Sequence, residues 1–327
     1  MFAKIFCLFV VSTTLAALPL SFDAPEEDIS EWNSYVEEHE KVYDSPEEES
    51  KRFGIFRENM KRFERLNEEH KGETTFGATV FSDLTSAEFM NLFSTEQRPE
   101  EAPGTANCRL DRNRPLSTAR DWRRHTTHIK NQGHCGSCYI FSVLGAIDAH
   151  LSIQNRTGAI DLSEQEVLDC GAANTCNSGY RMRVYEYAES VGLVKERDYE
   201  RYTASKHQCH DPRHRLNRIK IKGHCVLPAD ETEIARAIDQ LGPVAIGMNV
   251  NSQFSGYTGG IFRDYNCDRR TTNHAMLAVG YGEEANGQKF WLIKNSHGEK
   301  WGERGFLKIP RGENFCAIAT YANYPVL

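Results

Sequence analysis

The sequence predicts an α+β fold of two lobes, one helical and one built on strands, preceded by a separate helical segment. Three observations lead there. From Asp28 to about His70 the chain is rich in Glu, Arg and Lys, with aromatic residues at helical spacing and no Gly or Pro run, which reads as one or two surface helices. After Cys138 the apolar positions Ile140, Phe141, Val143, Leu144, Ile147 and Leu151 mark a second helical region. A further helix is announced by Ser163-Glu164-Gln165-Glu166, a capping box with Leu162 and Val167 placed as its hydrophobic staple. Strand-like segments come last: "PVAIGMNV", "HAMLAVGYG", "KFWLIKNS" and "GFLKI" are apolar, β-branched and punctuated by Gly or Asn. Helices first and strands later imply segregated lobes.

The chain of 327 residues is long enough to bury a large core without help from a metal. It opens with Lys4, an apolar run from Ile5 to Val11 and small residues at Ala16 and Ala17, the pattern of a secretory signal peptide too short to span a membrane. Charge is uneven. The first 104 residues hold 10 Lys+Arg and 22 Asp+Glu, leaving 29 and 24 for the remainder, so balances of −12 and +5 make up the net −7. Two parts docking by opposite charge is one reading, and a solvated helical face beside an ordinary domain is the other. The basic residues form no stripe and have no aromatic platform, which excludes a nucleic-acid binder. Of ten cysteines, Cys7 falls in the signal; the nine left are odd in number, so in an oxidising compartment eight can pair and one stays free for chemistry. Asn155-Arg156-Thr157 is an N-glycosylation sequon that fits the same compartment.

Glu48, Arg52, Phe56, Asn59, Phe63 and Asn67 fall within an arc of roughly 100° on one helix. This face resembles the E/R/F/N/I/N signature of the inhibitory pro-region of papain-family cysteine proteases, with Phe63 where the pattern has Ile. The stretch "FGATVFSDLT" is similar to the second signature of that pro-region, with Thr79 where Asn is usual. The Pro, Glu and Gly content around Arg98 to Thr105 reads as an exposed linker, where proteolytic nicking concentrates.

Residues 131–141, "NQGHCGSCYIF", place two cysteines three positions apart. A metal clamp, a redox pair and a nucleophile with a structural neighbour are all admissible. Zinc needs a second ligand pair, and His207, Cys209, His210 and His214 lie in a polar stretch. A thioredoxin-like dithiol wants a βαβ context that "HTTHIKNQG" does not supply. The nucleophile reading finds partners: His274 stands 136 positions after Cys138 and Asn295 stands 157 after it. Together with "LSEQEVLDC", "TTNHAMLAVGYG" and "WLIKNSHGEKWGERGF", in that order, the motif resembles the peptidase domain of the papain family over nearly the whole chain after the signal.

The resemblance implies a papain-like two-lobe fold, with a helical left lobe and a right lobe of antiparallel β-sheet or barrel. It implies a signal peptide at residues 1–17, a pro-region at 18–104 and a mature domain at 105–327. The activity it implies is that of a cysteine endopeptidase made as a zymogen. Cys138 is the nucleophile at a helix N-terminus, His274 its ion-pair partner and proton donor, Asn295 the group that orients His274, and Gln132 the side-chain donor to the oxyanion. The implied bridges are Cys135–Cys176, Cys170–Cys209 and Cys267–Cys316, with Cys108–Cys225 closing the set as in the group 1 mite allergens, which the sequon and "YERYTASKHQC" also resemble. Substrate would meet Tyr180, Arg181, Gly247, Ala275 and Tyr321 in the pocket for the second residue before the scissile bond, and would pair with Ser178-Gly179 as an added strand. No cofactor or metal is implied. The partners are peptide substrates and the chain's own pro-region, in a protein that is secreted or held in an acidic lysosomal-type compartment and acts as a monomer free of the membrane once the signal is removed.

Two departures from the family pattern stand out. Tyr139 follows the nucleophile where Trp is usual, a conservative change, and His297 stands where an indole normally covers the His–Asn hydrogen bond. An imidazole covers less area and is expected to admit water, weakening that bond. A papain-fold peptide-binding paralogue with little catalysis is therefore an alternative, and a purely inhibitory or structural secreted protein a third class, which would keep its N-terminal segment permanently.

Overall fold

The computed structural model describes residues 24–93, 108, 110–171, 175–210, 217–264 and 266–327. The signal peptide, the linker at Arg98 to Thr105 and His214 lie outside the described residues. Two compact units are formed, Met1–Gly54 and Ile55–Leu327. In the first, helix α1 (Glu26–Glu38) carries Trp32, fully buried among Tyr35, Tyr43 and Phe53 with ring centroids 5.5–5.6 Å away. Helix α2 (Pro46–His70) has a Ser45 hydroxyl accepting from the Glu48 N–H at its start and a Glu48–Arg52 pair at 2.6 Å one turn apart.

The second unit begins before the expected end of the pro-region, because Phe63, Phe76, Phe81, Phe89 and Phe93 belong to the same apolar core as the main sheet. Strand β1 (Thr74–Phe76) is followed by a short helix α3 (Ser86–Met90). Thr85 and Glu88 form a reciprocal capping box at its start, a local signal that the sequence reading missed.

The helical lobe consists of α4 (Cys138–Asn155), α5 (Glu164–Cys170) and α6 (Arg181–Ser190). Helix α4 is apolar on nearly every side and correspondingly buried: Val143, Leu144 and Ile147 face the helical core, while Ala146 meets Ala245, Leu277 and Val279 of the sheet. At α5 only half of the expected box forms. The Ser163 hydroxyl accepts from the Glu166 N–H at 3.1 Å, but the Glu166 carboxylate is taken by Tyr187 and Arg218, and the Ser163 N–H donates to the Val194 carbonyl. Leu162 and Val167 are both fully buried.

The sheet lobe follows: β2 (Arg120–Asp121), β3 (Gly223–Val226), helix α7 (Glu231–Gln240), β4 (Val244–Met248), β5 (Tyr257–Gly260), β6 (His274–Glu283), β7 (Lys289–Lys294), β8 (Phe306–Pro310) and β9 (Ala322–Val326). The four strand-like segments of the sequence become β4, β6, β7 and β8. Pairing is antiparallel in the order β3-β9-β4-β6-β7-β8, with β2 on the far end of β6. This is an open path among the described residues, so the right lobe is a sheet rather than the closed barrel admitted above. Strand β5 instead pairs with β1, joining the sheet lobe to the segment that precedes it.

Four disulfides are present, Cys108–Cys225, Cys135–Cys176, Cys170–Cys209 and Cys267–Cys316, the pairs implied by the family resemblance. Cys135 is therefore no metal ligand or redox partner for Cys138. No helix among the described residues is long and apolar enough to cross a membrane.

Candidate active site

Cys138 is the first residue of α4, after Ser137 at the cap position, and it is the one cysteine outside a disulfide among the described residues. The sheet register brings up the other groups. His274 opens β6 and Asn295 directly follows β7; these two strands are antiparallel neighbours, with Leu277 opposite Lys294. Residues 21 apart in sequence thus meet, and His274 Nε2–H donates to Asn295 Oδ1 at 2.8 Å. The same oxygen accepts from the Ser296 N–H at 2.9 Å, which settles the amide orientation and hence the histidine tautomer. The N–H of Ala275, the next residue along β6, reaches the Cys138 sulfur.

Gln132 is buried and locked. Its Nε2 donates to the Cys135 carbonyl at 3.0 Å, and its Oε1 accepts from the Ser296 hydroxyl at 2.6 Å. Ser296 thus holds both Gln132 and, through its N–H, Asn295. Sequence reasoning passed over it, although it sits between two singled-out residues in "KNSH". Tyr139 uses the hydroxyl that Trp lacks: it donates to the Thr175 carbonyl and accepts from the Thr175 N–H, each at 3.0 Å. Its ring lies so near Gly179 that a Cβ there would stand 2.1 Å away, which explains the glycine. Tyr180 is exposed, Arg181 buried at the start of α6, Ser178 and Tyr321 half-buried, and Gly247 pairs with Ala275 across β4 and β6. Asn155 is exposed at the end of α4.

The expectation that His297 leaves the His274–Asn295 bond wet does not hold in this form. His297 stacks on His274 with centroids 5.1 Å apart and planes 6° from parallel, and it is only 2% exposed. Phe81 (4.9 Å), Phe93 (6.0 Å), Trp301 (5.6 Å) and Phe254 (6.3 Å) surround it, and Phe93 also lies edge-on to His274 at 4.9 Å. Phe81 and Phe93 come from the N-terminal segment, and they supply the apolar cover that a lone imidazole could not. Neither ring nitrogen of His297 has a hydrogen-bond partner.

Sealing shifts the ionisations. Burial lowers His274 to about 4, with the bond to Asn295 opposing, and burial together with the neighbouring His274 holds His297 well below the ordinary histidine value. Burial likewise raises the Cys138 thiol, against the Ala275 N–H and the Arg181 charge. In this closed form burial works against the charged state of both groups, the thiolate of Cys138 and the imidazolium of His274.

The N-terminal segment is held chiefly by backbone and packing. Beside the β1–β5 ladder, Thr74 Oγ1 donates to the Ile261 carbonyl at 2.7 Å and Thr79 Oγ1 to the Ser255 carbonyl at 2.5 Å. Asn59 caps the Ser82 and Leu84 carbonyls, and Asn67 bonds both backbone groups of Phe76, each at 2.8 Å. Phe63, 1% exposed, fills the space a side chain at Gly256 would need. The Glu73–Arg263 pair adds little to this, since Glu73 is 61% exposed and approaches only to 3.8 Å.

A free thiol at a helix N-terminus, an imidazole fixed by an amide, and an N-terminal segment packed on that imidazole define a cysteine-dependent peptidase in its precursor form. The model of the papain family cysteine protease matches residues 116–326, and that of the cathepsin propeptide inhibitor domain (I29) matches residues 32–89. The chain belongs to the papain family of cysteine proteases and carries the family's propeptide inhibitor domain. It is 36% identical over 301 residues to cathepsin F of Drosophila melanogaster, covering 87% of this chain and 48% of that one, so it spans about half the length of that relative. Among solved structures it is similar to digestive procathepsin L 3 of the Tenebrio molitor larval midgut, with a TM-score of 0.83 at 31% identity, over 92% of this chain and 99% of that chain. It is also similar to a chain solved in work on antibody cross-reactivity between the mite allergens Blo t 1 and Der p 1, with a TM-score of 0.78 at 31% identity, over 90% and 98% of the two chains.

Proposed function

We propose that the chain is the zymogen of an exported cysteine endopeptidase, matured by cleavage near residues 104–107. Cys138 as thiolate attacks the scissile carbonyl, and His274 carries the proton and delivers it to the leaving amine. Asn295 orients the ring, and Gln132 with the Cys138 N–H stabilises the oxyanion. The observation that carries this reading is the 2.8 Å His274–Asn295 bond on a strand whose next N–H reaches the Cys138 sulfur. Peptide substrate would lie between Ser178-Gly179 and the Gly247, Ala275 and Tyr321 wall. The oxidising route of export is supported by the four bridges and by the exposed sequon at Asn155. Titrating the processed protein with iodoacetamide should label Cys138 alone and abolish hydrolysis in proportion. A second reading, a peptide-binding paralogue with little catalysis, draws on His297; stoichiometric labelling without any peptide cleavage would favour it.

In the processed enzyme Phe81 and Phe93 leave with the pro-region, so the edge of His297 and the His274–Asn295 bond become wetter than in the zymogen. A hydrogen bond open to water contributes less than one under apolar cover. If the missing cover is worth about 1.4 kcal/mol in the transition state, His297→Trp raises kcat about tenfold. Equal kcat values for the two proteins would show that position 297 is a bystander.

Acid should release the pro-region, and the group that responds is the sealed His297. Docked, His297 is held well below the ordinary histidine value; released, it takes up a proton near about 6.5. The docked state binds fewer protons, so this part of its stability is present in full above about pH 6.5 and is lost as pH falls towards the docked value. Release should be at least about tenfold faster at pH 5 than at pH 7, followed by limited processing of the zymogen, and His297→Trp should flatten the dependence. A pH-independent release rate would refute the assignment.

A further inference from the structure

The two donors assigned to the oxyanion come from different pieces of chain. Gln132 lies before the Cys135 turn, and the Cys138 N–H belongs to the first residue of α4 after it. Between them runs Gly133-His134-Cys135-Gly136-Ser137, which opens on a left-handed glycine, Gly133 at φ 60°. The Gln132 N–H donates to the Ser296 carbonyl at 2.8 Å, a contact that ties Gln132 to the segment after β7 and not to the start of α4.

A tyrosine from a distant part of the chain spans the gap. The Tyr202 hydroxyl donates to the Gln132 carbonyl at 3.0 Å and lies 2.6 Å from Ser137 Oγ. A carbonyl can only accept, so the single phenolic proton is committed to Gln132, and the Ser137 hydroxyl donates to Tyr202. Ser137 stands at the cap position of α4, where a serine ordinarily accepts from an N–H of the first turn, yet its side chain makes no cap bond. The hydroxyl serves the bridge instead of the helix. Tyr202 is itself held from α5, whose Gln165 and Asp169 are both buried. The Thr203 N–H donates to Gln165 Oε1 at 2.9 Å, Gln165 Nε2 to the Ser205 carbonyl at 2.8 Å, and the His207 N–H to Asp169 Oδ1 at 2.7 Å. The Tyr202 ring packs edge-on against Phe141 at 4.9 Å, and Ala204 faces Gly133, where an added Cβ would stand 3.0 Å from its methyl.

We propose that Tyr202 is a positioning residue of the oxyanion hole: its hydroxyl fixes the spacing between Gln132 and the turn that presents the Cys138 N–H. The inference rests on the peptidase reading above and adds to it a residue that acts through Gln132 and Ser137. The two donors meet a negative charge that develops only in the transition state, so misplacing them lowers kcat and leaves KM nearly unchanged. Outright loss of one such donor typically costs about 10² to 10³ in kcat. Tyr202→Phe keeps both donors and loosens their spacing, so it should cost roughly tenfold.

The test uses the full chain, expressed as zymogen and processed, with active enzyme counted by thiol titration. Tyr202→Phe leaves the ring on Phe141 and deletes only the hydroxyl. Its kcat on a peptide amide should fall about tenfold with KM within about twofold, while Cys138 alkylation by iodoacetamide keeps its rate within about twofold. Alkylation joins the sulfur to a saturated carbon as iodide leaves and builds no oxyanion, so it reports the thiolate and the fold but not the donors. In a Gln132→Ala background the Tyr202→Phe step should cost no more than about threefold, since part of what it positions is already gone. Hydrolysis and alkylation that fall in parallel overturn the proposal, and so does a step of about tenfold in the Gln132→Ala background. Should Tyr202→Phe fail to fold, Ser137→Ala, which cuts the other end of the bridge, is read in the same way. Wild type and Tyr202→Phe that cleave peptides equally well sink this inference alone; a wild type with a titratable thiol and no hydrolysis of any peptide or of casein sinks the peptidase reading with it.

Discussion

Replacing Cys138 by Ala removes peptide hydrolysis from the processed protein, by a factor on the order of 10⁴ to 10⁶, and leaves the fold intact. The nucleophile, its base and the orienting amide act as one unit, so loss of the nucleophile is expected to cost nearly as much as loss of all three. Cys138 is 3% exposed in the helical core and takes part in no disulfide, so the variant loses one buried sulfur and no cross-link. It cannot mature itself under the proposed scheme and has to be processed by added wild-type enzyme. Mass spectrometry after alkylation should then show one label on wild type and none on the variant. Hydrolysis above about one per cent of wild type in the variant, well outside the range given for loss of a nucleophile, would remove Cys138 from the mechanism.

Phe63→Ala is expected to undo inhibition by the pro-region at neutral pH. The ring is buried against the Ser252–Gly256 turn, with the Arg62 guanidinium 5.1 Å from its centroid and Gly256 directly beneath. Phe→Ala in such a site typically costs about 3–5 kcal/mol, which is roughly a hundredfold to several thousandfold in the docking equilibrium. The zymogen should show premature activity and faster proteolytic loss of its N-terminal segment at pH 7, while the processed enzyme keeps wild-type kcat. Gly256→Ala should act in the same direction, because the added methyl occupies the position of the ring. Unchanged latency in both variants would mean that the β1–β5 ladder and Phe93 suffice.

The two effects separate the chemistry from its cover, and the same division runs through what could be read from the amino-acid order. The helices and strands were legible because periodicity is local: the apolar run after Cys138 and the four late β-rich segments state their own conformation within ten or so residues. The face of α2 was legible for the same reason, and each marked position has a partner or a buried place, from the Glu48–Arg52 pair to the Asn67–Phe76 bonds. At Ser163 the local rule failed, because Glu166 found a stronger partner in Arg218, 52 residues on.

What the amino-acid sequence determined by itself is the chemical inventory: an odd cysteine, Gln132, His274 and Asn295 in order, and an acidic helical segment ahead of them. Only the tertiary structure decided how that inventory is held. Strand register, set by side chains far apart in the chain, joined His274 to Asn295 and let Ser296 lock Gln132. Burial, which no single segment can specify, disfavours charge on the thiol and on both histidines. It does so because two phenylalanines nearly 200 residues or more upstream close over an imidazole that the sequence alone suggested would be wet.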